Sequence, residues 1–142
     1  MSEYFISRTD QAGIYYLPAT RRSALAAAIG KTGLHPVKLA IQPDTNIRDV
    51  LVRIGSLLQF PDWYGANFDA LFDCLTDPEC QAGRGCLISI TGTHRLAAAQ
   101  PEAFSTLLDV LQSAAETLRA DGTPFWVLVD TPSPALNALP EA

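Results

Sequence analysis

The run Phe125-Trp126-Val127-Leu128-Val129 restricts the fold more than any other part of the chain. Five large apolar residues in succession, with no polar alternation, make a strand that has no solvent face. Such strands sit inside parallel sheets that helices cover on both sides. Two other segments share this character. Val37–Gln42 sets Val37, Leu39 and Ile41 on one side, and Cys86–Ile90 is apolar enough to be buried. Between these runs the apolar period changes to that of a helix. Ile47, Val50, Leu51, Ile54, Leu57 and Leu58 keep that spacing, as do Phe68, Leu71, Phe72 and Leu75. After Pro101, Phe104, Leu107, Leu108, Leu111 and Leu118 continue it to about Ala120. Alternating strands and helices predict an α/β fold, a small three-stranded parallel sheet packed by helices.

Turn residues set the remaining boundaries. Tyr4–Ser7 and Gly13–Leu17 read as short strands, the second placed at the sheet edge. Ala19 to Ile29 is helix-prone, with Gly30 or Gly33 to close it. Pro43-Asp44-Thr45-Asn46 supplies a turn and a helix cap. Pro61 stops one helix and Asp77-Pro78 another, and Gly83–Gly85 forms a turn. The expected organisation is an N-terminal extension over residues 1–35, packed on a domain over 36–130. A tail over 131–142, with three prolines, is expected to be loosely attached.

Composition then excludes several classes. With 142 residues, 48% hydrophobic and 18% charged, the chain has material for one well-buried core. The formal net charge of -5 argues against nucleic-acid binding, which needs Lys and Arg on phosphates, and favours a cationic protein partner. No apolar stretch is long enough to span a bilayer, and no secretion signal opens the sequence. Cys74, Cys80 and Cys86 lie six residues apart, which matches no zinc pattern. The expectation is a cytoplasmic protein without metal or cofactor, with Cys74 and Cys86 in the core and Cys80 in a loop.

Ile54–Gly83 contains no Lys or Arg but carries Asp62, Asp69, Asp73, Asp77 and Glu79. On an ideal helix Asp69, Asp73 and Asp77 fall within roughly 80° of one another, away from the apolar stripe. Like charges at this spacing destabilise a helix, so the stripe is bought at a cost that suits a binding face. Trp63 and Tyr64 stand just before it. An aromatic beside charge suits a protein interface, although core packing is the simpler reading for Tyr64. Gly65 is expected to hold a conformation that a Cβ would penalise, and Asn67 to cap the helix.

Phe60-Pro61-Asp62-Trp63-Tyr64-Gly65-Ala66-Asn67-Phe68-Asp69-Ala70-Leu71-Phe72-Asp73-Cys74-Leu75-Thr76 closely resembles the signature of the barstar family of intracellular ribonuclease inhibitors. The order of elements from Pro36 to Asp130 also fits. The resemblance implies a loop and helix that plug a ribonuclease active site, their carboxylates standing where RNA phosphates would lie. By position, Asp69 and Asp73 match the inhibitory aspartates, Trp63 an interface tyrosine, Phe72 a partly exposed tryptophan, and Thr76 a threonine near the contact. Asp77 extends the acidic stripe. The family also uses a Glu late in its long helix. Here Thr117 takes that place and Glu116 is one position away. Asp77–Arg84 departs from the family's contact loop, and the first 35 residues have no counterpart.

The expected partner is therefore a ribonuclease or another toxin nuclease, bound by a bacterial protein that is monomeric when free. A basic protein that is not a nuclease is the alternative. An enzyme is the weakest reading. General acid–base work needs two carboxyls in unlike environments, and neighbouring exposed aspartates share one. A cation held by Asp69, Asp73 and Asp77 is a related possibility. His35, read as a turn residue, and His94 lie far from the acids in sequence.

Overall fold

The three apolar runs become neighbouring strands. In a computed structural model that describes residues 5–79 and 85–140, β2 (His35–Ala40), β3 (Cys86–Thr91) and β4 (Phe125–Val129) pair in parallel. β1 (Ile14–Tyr16) pairs with β4, and β5 (Asn137–Ala138) pairs with β1, giving the order β2-β3-β4-β1-β5. The helices are α1 (Arg22–Ile29), α2 (Ile47–Leu57), α3 (Phe68–Thr76), α4 (Thr93–Ala99) and α5 (Pro101–Ala120).

Parallel register sends alternate residues to opposite faces of the sheet, and each face has its own core. On one face Val37, Leu39, Ile88, Ile90, Val127 and Val129 meet the apolar stripes of α2, α3 and α5. On the other, Leu87, Trp126 and Leu128 meet Leu25 and Ala28 of α1, together with Ile6, Leu17 and Leu139. All five residues of β4 are buried, as its lack of alternation requires.

Local chemistry explains the helix ends. Asn46 caps α2 in a reciprocal pair with Asp49, each side chain accepting from the other's backbone N–H at 2.9 and 3.2 Å. Pro101 opens α5 at a position that needs no N–H. The open edge of β2 is protected. His35 N–H donates to Gly85 O, just before β3, and Ile41 N–H to Thr91 O at its end, so the backbone groups of Pro36, Lys38 and Ala40 face outward. Pro36 has no N–H, Lys38 adds charge, and the Arg53 guanidinium donates to the Ala40 carbonyl.

Several expectations need correction. Tyr4 lies outside the described residues, and Phe5–Ser7 is a 3-10 turn, not a strand. The sheet positions beside β1 are already filled by β4 and β5. Phe5 instead sets its ring edge-on to Tyr15 and Trp126 at 5.6 and 5.7 Å. β1 is not the edge, because β5 lies outside it. Nor is the tail loose: Leu139 is 5% exposed in the second core, and its N–H donates to Tyr16 O at 2.8 Å. His35 begins β2 and is not in a turn. The helix expected from Ala19 starts as a 3-10 turn over Ala19–Arg21. α4 was not expected from the sequence. It is one short piece with only Thr93 and Leu96 buried, too little for a period to be read. Cys74 and Cys86 are buried as expected, whereas Cys80 and most of the Gly83–Gly85 turn lie outside the described residues.

Candidate functional site

The segment between α2 and α3 is fixed from beneath. Gln59 takes a left-handed φ of 56° and reverses the chain, and Phe60 N–H donates to Gly55 O at 2.8 Å. The Tyr64 ring lies on α2 where Gly55 leaves room: a Cβ on Gly55 would come within 2.5 Å of Tyr64 Cε2. Phe60 meets Tyr64 edge to face at 4.9 Å, and the Tyr64 hydroxyl donates to Leu51 O at 2.7 Å. Burial, then the Cys74 thiol beside it, push the Tyr64 hydroxyl up to about 12 against the pull of Arg48. It therefore remains a donor at every pH the loop would ordinarily meet. Tyr64 thus packs inward on α2 and leaves Trp63 outside, 57% exposed.

The expected strain at Gly65 falls one residue later. Gly65 has no left-handed φ; Ala66 does, at 52°, with its methyl group buried. A Cβ on Gly65 would meet Asn67 Nδ2 at 3.0 Å, so the constraint there is crowding. Asn67 caps α3 by accepting from Ala70 N–H at 2.8 Å.

α3 then separates its residues by face. Leu71, Cys74 and Leu75 are buried, Phe72 is half-buried on the first core, and Asp69 and Asp73 are exposed. Asp69 lies in the first turn, where the helix dipole favours an acid. Asp77 does not continue the stripe. The chain becomes extended there, and the Asp77 carboxylate accepts from Glu79 N–H at 2.9 Å. The Thr76 hydroxyl is turned back to Phe72 O at 2.8 Å. Asp62 and Glu79 are exposed at the margins.

Packing of α3 on α5 adds an acid that the sequence did not single out. Asp69 and Asp73 face Asp109 across an open hollow whose apolar sides are Phe68, Phe72 and Val110. Among the described residues, no ion pair or hydrogen bond engages these three carboxylates. Asp109 and Ser113 are four apart on α5, but their role depends on which helix lies opposite, and no spacing within α5 carries that. Glu116 leans away, accepting from Gln112 Nε2 at 3.2 Å, while Gln112 Oε1 accepts from Ile14 N–H in β1. Thr117 is exposed.

The arrangement attracts cations without holding a fixed one. Among the described residues, no three His, Cys, Asp or Glu side chains are placed to share a metal ion, and no helix is long and apolar enough to cross a membrane. His35 and His94 are exposed on β2 and α4, away from the hollow.

No curated protein matches the chain. A family model described as Barstar (barnase inhibitor) matches residues 34–130, which span β2 to the end of β4 and contain the loop, α3 and α5. That match covers more than half of the 142 residues, and the chain belongs to the barstar (barnase inhibitor) family.

Proposed function

We propose that this protein inhibits a ribonuclease by inserting α3 and its preceding loop into the enzyme's cationic active site. One observation carries the reading: Asp69 and Asp73 stand exposed and unpaired among the described residues, beside the exposed Trp63. A ribonuclease must gather Arg, Lys and His around a phosphate. Two carboxylates one helical turn apart offer those groups the charge they are built to receive. Trp63 supplies rigid apolar area next to them, and Phe72 and Thr76 border the contact. In this reading Asp77 contributes through its charge at the edge, and Tyr64, Gly65 and Asn67 hold the loop. The protein is a cytoplasmic binding protein, monomeric when free, and not an enzyme. It needs no metal or cofactor and no nucleic acid.

Asp109 favours a second, related reading, a partner other than the ribonuclease type the family name specifies. The late-helix Glu is absent at Thr117, and the acid that faces α3 stands on Asp109, two turns earlier. A toxin nuclease with its cations arranged differently, or another basic protein, would use that acid.

The test is inhibition of a panel of basic ribonucleases by the purified protein, with association and dissociation rates for each complex. Tight one-to-one inhibition of at least one enzyme is expected. Asp73→Ala should then weaken it by about 3–5 kcal/mol, mainly through faster dissociation, because truncation strands a buried cation. Asp62→Ala should instead slow association at low salt. Equal inhibition by Asp73→Ala and the parent, with both fully folded, would refute the acidic-plug mechanism.

A further inference from the structure

The second face of the sheet holds a cleft that the inhibitor reading does not use. Ala40, Thr91 and Val129, the last residues of β2, β3 and β4, all line it. It lies where the connections diverge: β1 leads into α1 on this face, while β2 leads into α2 on the other. Ligands of open parallel sheets gather at such carboxyl ends. The volume is about 450 Å³, within the range of small-molecule sites.

Its chemistry has two parts. Leu25, Ala26 and Ile29 of α1 form an apolar wall opposite Leu128. α1 covers β4 but leaves β2 bare, so Lys38 is exposed beside this wall. Three of the chain's ten Lys and Arg residues, Arg22, Lys38 and Arg53, line this single cleft of an acidic protein. Among the described residues lining it, Asp130 is the one acid. That carboxylate is already engaged by Gly92 N–H, Thr93 N–H and the Thr93 hydroxyl, and it lies 3.7 Å from Arg22. Lys38 and Arg53 are left as uncompensated charge. Ser89 is a hydroxyl within a buried strand, in register with Lys38 on one side and Leu128 on the other. Neither it nor Thr91 makes a side-chain hydrogen bond among the described residues.

We infer that this cleft binds a small amphiphilic anion, an apolar body seated between α1 and Leu128 with one carboxylate or phosphate head toward Lys38 and Arg53. The charge complementarity excludes a cationic occupant, and the apolar wall gives a bare inorganic anion nothing to hold. The site is independent of the acidic helix, which lies on the opposite face.

Amide chemical shifts of the intact protein, titrated with octanoate and with octyl phosphate, provide the test. Octanol, octylammonium and inorganic phosphate serve as comparators. Saturable shifts at Ala26, Ser89 and Thr91 are expected from one or both anionic amphiphiles, and the tighter of the two identifies the head group. Octanoate should bind Lys38→Gln about tenfold more weakly, having lost one charge-assisted contact, and octanol should bind the parent at least as weakly, having lost both. Lys38 is exposed, so this variant should melt with the parent, and Asp73→Ala should bind like the parent. The inference is overturned if neither anion gives saturable shifts at millimolar concentration, if octanol or octylammonium binds as tightly, or if Lys38→Gln changes nothing.

Discussion

Gly55 shows how a single position ties a helix to the loop before α3. Glycine inside a helix costs about 1 kcal/mol relative to alanine, yet α2 keeps one where the Tyr64 ring rests. Gly55→Ala should therefore lower stability, by about 1–3 kcal/mol, although it improves helix propensity. The double variant Gly55→Ala/Tyr64→Ala should lose less than the sum of the single changes, because both act on one contact. Urea unfolding of the four proteins measures this, and strict additivity would separate the loop from α2. At the same scale, Asp69 and Asp73 were legible in the sequence because i, i+4 spacing needs only the helix itself. The left-handed residue was not. Gly65 was the natural choice by backbone freedom, but the fold assigns that conformation to Ala66, whose methyl group is buried.

Between elements, Asp130 connects the end of β4 to the start of α4 and to Arg22 of α1. Burial alone would raise its carboxyl, but the Thr93 hydroxyl and the Gly92 and Thr93 amides outweigh burial and hold it below the ordinary value. A carboxyl lowered in the folded state adds stability above its unfolded value near 4, and that stability is lost as pH falls through the folded value. Asp130→Asn should cost about 1–3 kcal/mol at neutral pH, and the gap from the parent should narrow in acid. Denaturation at pH 7 and pH 3 tests this; a gap that does not change with pH would show that charge is not what Asp130 contributes. The major elements were readable because each carries its own period or an unbroken apolar run. α4 and β5 were not. One buries two side chains, and the other has two residues between prolines. The neighbours of both, not their own sequences, decide their structure. Asp109 belongs with them, since only the docking of α5 on α3 makes it part of the hollow.

For the molecule as a whole, the segments on either side of residues 34–130 build much of the second core. Leu139 joins Leu17 and Leu25 there, so the tail is structural. Leu139→Ala should cost about 2–3 kcal/mol, far more than an exposed tail residue would. A change below about 0.5 kcal/mol in urea unfolding, the range of surface substitutions, would show that the tail is not docked. Because α3 rests on the first core, the same variant should leave the proposed ribonuclease inhibition unchanged at temperatures where it remains folded.

The place of β1 also sets a timetable. β1 pairs with β4 and β5, which are synthesised more than a hundred residues after it. At about 5–20 residues per second, that interval is of the order of ten seconds. During it, Leu17, Leu25 and Ala28 have no Trp126, Leu128 or Leu139 to cover them. β1 thus waits for partners made long after it, and its pairing has the long sequence separation that slows folding. Until then those side chains are an adhesive apolar surface on a newborn protein, the kind of surface that chaperones exist to cover.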